Sequence, residues 1–123
     1  MRESVLREKS KKYAIAIIKM YQYLSNKKKE YILSKQVLRS GTSIGANISE
    51  AYYAQSDKDF IHKLSISLKE AAETEYWLDL LVNTDYINDK QYKIMHEPCL
   101  ELIKMLTSSI MTAKGKLKKS KME

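Results

Sequence analysis

The chain has 123 residues, a mass of 14.3 kDa and a formal net charge of +7, a size that fits one domain with a single core. It holds 3 glycines and 1 proline, too few for the turns of a multi-stranded sandwich or barrel. Hydrophobic residues make up 44% and charged residues 30% of the chain, a balance that excludes intrinsic disorder and is typical of a helical soluble domain.

The first two of four predicted helices differ in their apolar faces. The first covers residues 4–25, with apolar side chains at three- and four-residue spacing, and ends before the cationic run 27–29. The second covers residues 30–54, and its apolar arc includes Gly41 and Gly45. Each glycine costs about 0.8–1 kcal/mol relative to alanine in a helix. We therefore expect either a close approach of a neighbouring helix there or a local break at Gly41.

The last two predicted helices begin at capping signals. The third opens at Ser56 with Asp59 three residues on, and the fourth opens at Asn88 with Gln91 three residues on. Pro98 lies inside the fourth helix and predicts a kink or a local break. Because the connections between these long helices are short, the sequence predicts an all-α fold, an antiparallel up-down four-helix bundle.

Polar residues of the second and third helices form a first candidate site. Short hydrogen-bonding side chains are poor helix formers on an open face, so another surface is expected to cover them. Glu75 falls inside the apolar stripe of the third helix, where an unpaired carboxylate is costly. We predict a buried or interfacial structural network of Arg39, Ser43, Asn47, Glu50, Glu73 and Glu75. The alternative is a ligand-binding patch in a channel or groove.

The third helix also carries a second apolar strip that a single protomer does not cover. Exposed apolar strips of this kind mark association surfaces. We therefore predict a homo-oligomer whose interface includes Ile66, Trp77, Leu80 and Leu81.

The excess positive charge lies at the two ends of the chain. Residues 1–12 hold five basic and two acidic side chains, residues 114–123 hold five basic and one acidic, and the charges between them balance. We therefore divide the chain into a bundle domain, 1–113, and a basic C-terminal tail, 114–123. Such ends either keep a protein soluble or attract phosphate backbones. The candidate nucleic-acid contacts are Arg2, Arg7, Lys11, Lys12, Lys114, Lys116, Lys118, Lys119 and Lys121. No aromatic residue is interleaved with the terminal lysines, so the sequence predicts backbone contacts without a stacking platform.

Enzymatic and metal-binding functions find little support in the sequence. A di-iron bundle needs Glu-x-x-His on two helices, and the chain offers only Asp59 before His62. His96 and Cys99 lack a second ligand pair for zinc. We expect no catalytic residue, no cofactor and no metal. A single cysteine, no apolar span of about 18 residues and no visible signal peptide predict a cytoplasmic protein without a membrane segment.

A long stretch of the second helix resembles a known family signature. It runs from Leu38 to Ala51 and reads LRSGTSIGANISEA, with further similarity at 59–61 and 69–78. It resembles the bacterial four-helix-bundle family named after 23S ribosomal RNA intervening sequences, densely over residues 36–82. The resemblance implies a four-helix protomer, a homopentamer around a central channel and no known catalytic activity. The accessory variability protein of diversity-generating retroelements is similar in fold, as a distant relative. That protein forms a basic pentamer that binds nucleic acid and a reverse transcriptase.

Two functions follow from these features. In the first, the protein is a non-enzymatic oligomeric scaffold that binds RNA or DNA backbones through its basic ends. In the second, it is an interaction module for a protein partner, and the basic ends keep it soluble.

Overall fold

The computed structural model describes the backbone of residues 2–122 and the side chains of residues 5–122. It contains α1 (Arg2–Asn26), α2 (Leu33–Ala51), α3 (Asp57–Asn83) and α4 (Asp89–Met122). There is no strand among residues 2–122. The predicted all-α class with four helices is therefore confirmed.

Consecutive helices are antiparallel. The four helices lie at the corners of a square, so each packs on two neighbours. On α2 and α3, Ser67 Oγ donates to the Ile44 carbonyl at 2.8 Å, and Thr74 Oγ1 donates to Ser40 Oγ at 2.9 Å. Ile44 is thus paired with Ser67, and Ser40 with Thr74, which shows that α2 and α3 are antiparallel. The hydroxyls of Ser40, Ser67 and Thr74 are fully buried, so these bonds satisfy polar groups in the α2–α3 interface.

Helices α1 and α4 close the square. Tyr13 Oη donates to the Met95 carbonyl at 2.9 Å, and Lys9 pairs with Glu101. This register places the N-terminus of α1 beside the C-terminal part of α4.

The core fills the space between the four helices. Its fully buried side chains include Ile17, Leu24, Val37, Ile44, Ile48, Leu64, Leu78, Leu102 and Leu106. Helix α2 continues through Gly41, so the predicted break there is wrong and the close approach is confirmed. A Cβ at Gly41 would lie 2.7 Å from Ile17 Cγ1. Only glycine allows this distance between α1 and α2.

The predicted caps of α3 and α4 are confirmed. Ser56 Oγ accepts from the Asp59 amide at 3.1 Å. Asn88 Oδ1 accepts from the Gln91 amide, and the Asn88 amide donates to Gln91 Oε1, both at 2.8 Å. Helix α4 runs uninterrupted through Pro98, so the predicted local break is absent from the described residues.

Helix α2 begins three residues later than predicted because Glu30 is not part of it. The Glu30 side chain is only 7% exposed and accepts hydrogen bonds from the amides of Ile32, Leu33 and Ser34. Its carboxylate therefore occupies the position of an N-terminal cap, at the positive end of the α2 dipole.

Candidate functional site

The two basic segments meet at one end of the bundle. The Arg7 guanidinium lies 5.0 Å from the centroid of the Tyr52 ring, near the C-terminus of α2. Lys116, from α4, lines a cleft together with Tyr52. Arg7, from the N-terminal segment, thus packs on an aromatic ring whose cleft is also lined by Lys116, from the C-terminal segment. The side chain of Arg2, also a predicted contact, lies outside the described residues.

The predicted C-terminal tail is a helical continuation of α4. Lys116 lines a cleft with residues at the start of α3, and α4 continues beyond it to Met122. Lys114, Lys118 and Lys121 follow i, i+4, i+7 spacing and share one face. All five lysines of this segment are exposed: Lys114, Lys116, Lys118, Lys119 and Lys121.

The lysines of α1 are partly engaged in surface ion pairs. Lys9 pairs with Glu101, and Lys12 Nζ lies 3.8 Å from a Glu8 oxygen. Lys11 is exposed beside the groove between α1 and α2. Exposed pairs of this kind contribute about 0–1 kcal/mol, so they do not prevent these lysines from meeting a phosphate.

A cleft of about 460 Å³ opens at the same end, between the start of α3 and the C-terminal part of α4. Tyr52 and Phe60 line it, with ring centroids 5.9 Å apart in an edge-to-face arrangement. Asp57 and Lys116 contribute charges of opposite sign. Sequence reasoning missed this juxtaposition, because the aromatic residues are far from the terminal lysines along the chain.

The predicted polar network separates into independent pairs within one protomer. Arg39 Nη2 lies 3.2 Å from Glu73 Oε1, and Lys63 Nζ lies 3.2 Å from Glu50 Oε1. Arg39 and Glu50 each remain 59% exposed. An interfacial role for these residues stays a prediction.

Two further residues of the predicted network bond to their own helix. Ser43 Oγ donates to the Arg39 carbonyl at 2.6 Å, and Asn47 Nδ2 donates to the Ser43 carbonyl at 2.8 Å. These local bonds satisfy short polar side chains on a helix without any partner helix.

Glu75 pairs with His96, a residue that the sequence suggested only as a possible metal ligand. His96 Nε2 lies 2.7 Å from Glu75 Oε2, and the His96 ring stacks on Tyr92 at 4.8 Å between centroids. The pair joins α3 to α4 and relieves the cost of a part-buried carboxylate.

The single thiol of the chain is buried, and potential metal ligands do not cluster in the part that the structure describes. No group of three or more potential metal ligands forms among residues 5–122. Burial raises the pKa of the Cys99 thiol to about 12, and its Sγ donates to the Ala71 carbonyl at 3.4 Å. A thiol held protonated in this way is a poor nucleophile. None of the described helices combines the length and apolarity needed to cross a membrane.

The predicted interface strip of α3 needs one correction. Ile66, Trp77 and Leu80 are half-buried on the outside of α3, whereas Leu81 is fully buried in the protomer core. Leu81 follows Leu78 by three residues, and α3 packs against both α2 and α4. Its buried arc is therefore wide enough to take in Leu81.

Two buried polar atoms of α3 lack hydrogen-bond partners among residues 5–122: Glu70 Oε2 and Trp77 Nε1. Burial, and then the neighbouring charge of Glu73, raises the pKa of the Glu70 carboxyl, while Arg39 acts in the opposite direction. Buried groups of this kind are normally paired. Both atoms are already shielded from solvent within the protomer, so they are unsatisfied polar groups of its interior.

Comparison with known proteins agrees with this architecture. Residues 2–108 match the family described as 23S rRNA-intervening sequence protein. The chain belongs to this family. A crystal structure of a member of the S23 ribosomal protein family with unknown function, from Bacteroides thetaiotaomicron VPI-5482, is 52% identical. The similarity covers 90% of this chain and 99% of that chain, with a TM-score of 0.89. No curated protein matches the chain.

The family match ends before the lysine-rich end of α4. Residues 114–122 lie beyond the matched range of 2–108. These lysines are therefore a feature of this chain that lies outside the family match. The distant relationship to the retroelement accessory protein stays a prediction.

Proposed function

We propose that this member of the 23S rRNA-intervening sequence protein family is a non-enzymatic homo-oligomeric scaffold. It binds the phosphate backbone of RNA or DNA through the basic end of its bundle. The observation that carries the proposal is the convergence of the N-terminal Arg7 and the C-terminal Lys116 beside Tyr52. Clustered cations with few specific contacts attract phosphates without reading sequence.

Self-association is supported by the outer strip of α3, which we define as Ile66, Glu70, Glu73, Trp77 and Leu80. These residues follow alternating spacings of four and three, as in a helix seam that packs on another helix. Its apolar members, Ile66, Trp77 and Leu80, are only half-buried in one protomer. A second copy would cover their remaining apolar surface. The family resemblance implies a pentamer, in which the +7 of each chain would be multiplied on one assembly.

The first expected result concerns assembly. Light scattering should give a multiple of the 14.3 kDa chain mass at micromolar concentration. Trp77→Lys and Leu80→Lys should each shift the mass towards one chain, because a charge would then face the apolar seam.

Ile15→Lys serves as the matched control. Ile15 is an exposed apolar residue on α1, diagonally opposite α3, so this variant should keep the assembled mass. A wild-type mass of one chain would contradict self-association. Because Trp77 also packs on the protomer core, Leu80→Lys separates loss of assembly from loss of folding.

The second expected result concerns salt. RNA and duplex DNA should bind tightly at about 50 mM salt and weakly at about 300 mM, since binding releases counterions. Changing Lys114, Lys118 and Lys121 together to glutamine should lower the slope of log affinity against log salt by about 2–3. The slope is measured by fluorescence anisotropy.

A variant with the same loss of charge at the other end controls for net charge. Lys27, Lys28 and Lys35 are exposed around the α1–α2 connection, and their joint change to glutamine should leave the slope nearly unchanged. If the two triple variants changed the slope equally, binding would depend on the net charge of the protein and not on the basic end of the bundle. No binding at low salt would favour the protein-partner module.

A further inference from the structure

We propose that the cleft lined by Tyr52, Phe60, Asp57 and Lys116 binds an unpaired base of a single-stranded nucleic acid. This inference rests on the proposed function and deepens it, because it adds a base-binding subsite to a surface that otherwise contacts only phosphates. It also revises the expectation, drawn from the sequence, that the basic ends lack a stacking platform.

The size and the lining of the cleft suit an aromatic ring. Its volume of about 460 Å³ falls in the range of about 300–1,000 Å³ typical of small-molecule sites. Tyr52 and Phe60 line the cleft edge to face, with centroids 5.9 Å apart. An adjoining depression over the α2–α3 connection shares Tyr52, Asp57 and Phe60.

The charges around the cleft favour a base inside it and a phosphate at its rim. Asp57 lines the cleft, and its carboxylate repels a phosphate while accepting hydrogen bonds from base N–H groups. Lys116 lines the same cleft, and Arg7 packs on the Tyr52 ring. These cations suit the phosphates that flank a stacked base. The combination of aromatic surface and basic rim is the one that single-strand binders use.

The opposite wall is supplied by α4. Ser109 and Thr112 bring hydroxyls to the cleft, next to Ala113. Hydroxyls donate and accept hydrogen bonds, so they can meet base edges or sugar oxygens. The small Ala113 leaves room between the α3 and α4 walls.

The test compares two labelled strands of about 12 nucleotides, a length within the site sizes of single-strand binders. One strand carries thymine at each position, and the other is abasic with the same phosphates. Fluorescence anisotropy with the full-length protein should show the thymine strand binding about tenfold tighter, since stacking of a single base is worth about that factor. The abasic strand should keep the salt dependence of phosphate binding.

Phe60→Leu tests the site itself. Leucine retains apolar volume where Phe60 packs against the core but removes the aromatic face. This variant should lose most of the difference between the two strands and leave the affinity for the abasic strand unchanged. Tyr31→Leu, which replaces an exposed aromatic residue at the opposite end of the bundle, should behave as wild type.

The outcomes separate the two proposals. Equal affinity of wild type for both strands would overturn the base site and leave backbone binding in place. An equal loss for both strands in Phe60→Leu would also overturn it. Failure of both strands to bind at low salt would overturn the base site together with the proposed function. The comparison of strands with wild type does not depend on how well any variant folds.

Discussion

Replacing Glu30 with alanine is expected to lower the free energy of unfolding by about 2–3 kcal/mol, because hydrogen bonds to a buried charged acceptor are strong. Glu30 Oε2 accepts from the amides of Ile32 at 3.1 Å and Leu33 at 2.9 Å, and Oε1 accepts from the Ser34 amide at 2.6 Å. Alanine would leave these donors unpaired at the start of α2. Chemical denaturation at neutral pH measures the loss.

The same carboxylate makes stability depend on pH. Burial alone would raise the pKa of Glu30, but the amides of Leu33, Ser34 and Ile32 outweigh it and hold the pKa below its ordinary value. A lowered folded-state pKa contributes stability above the unfolded-state pKa, and this stability is lost as pH falls through the folded-state pKa.

Glu30→Gln is therefore expected to be less stable than wild type at about pH 7, and the difference should shrink at acidic pH, as the pH falls through the lowered folded-state pKa of Glu30. Glu97→Gln, at an exposed position on α4, is the matched control and should show little difference at either pH. If the difference in the free energy of unfolding between Glu30→Gln and wild type did not change with pH, it would come from the shape of the side chain and not from its charge.

Glu30 also shows where sequence reasoning reaches its limit. Glutamate is a good helix former, so the periodic pattern extended α2 back to residue 30. Caps are usually short side chains, and nothing local reveals that the longer Glu30 side chain folds back onto the amides that follow. The apolar period predicts the existence of the helix, whereas tertiary burial at the α1–α2 connection decides its first residue.

The same distinction, between the apolar period of a helix and its tertiary contacts, explains which parts of the candidate site could be predicted from the sequence. The amphipathic period and the short connections were enough to predict four antiparallel helices, and local caps at Ser56 and Asn88 followed from neighbouring residues. Contacts across helices depend on register and rotation, which a single sequence does not specify. The pairing of Glu75 with His96 and the cleft that Lys116 shares with Tyr52 depend on both. Leu81 was misplaced because a helical wheel cannot show how wide an arc the neighbours cover.

A side chain at Gly41 is expected to destabilise the bundle despite improving the helix. The Cβ of alanine would meet Ile17 Cγ1, Cδ1 and Cγ2 at 2.7, 2.8 and 2.9 Å. Ile17 is fully buried and β-branched, so it has few other rotamers to adopt. Gly41→Ala gains about 1 kcal/mol in helix propensity but forces overpacking, for a net loss of about 1–3 kcal/mol.

Gly115 provides the matched control, because a Cβ there would meet no atom within 4 Å. Gly115→Ala therefore gains the helix propensity of alanine without overpacking, and the helicity of the C-terminal end of α4 should rise slightly. Thermal and urea melts of both variants test the contrast, and a Gly41→Ala protein as stable as wild type would contradict it.

A double variant identifies the contact responsible for the Gly41 effect. Ile17→Ala alone removes buried volume and should cost about 2–5 kcal/mol. In Gly41→Ala/Ile17→Ala the new methyl group enters the space that the isoleucine leaves, so the combined loss should be smaller than the sum of the two single losses. Strict additivity would mean that the α1–α2 backbones, and not the Ile17 side chain, set the requirement for glycine.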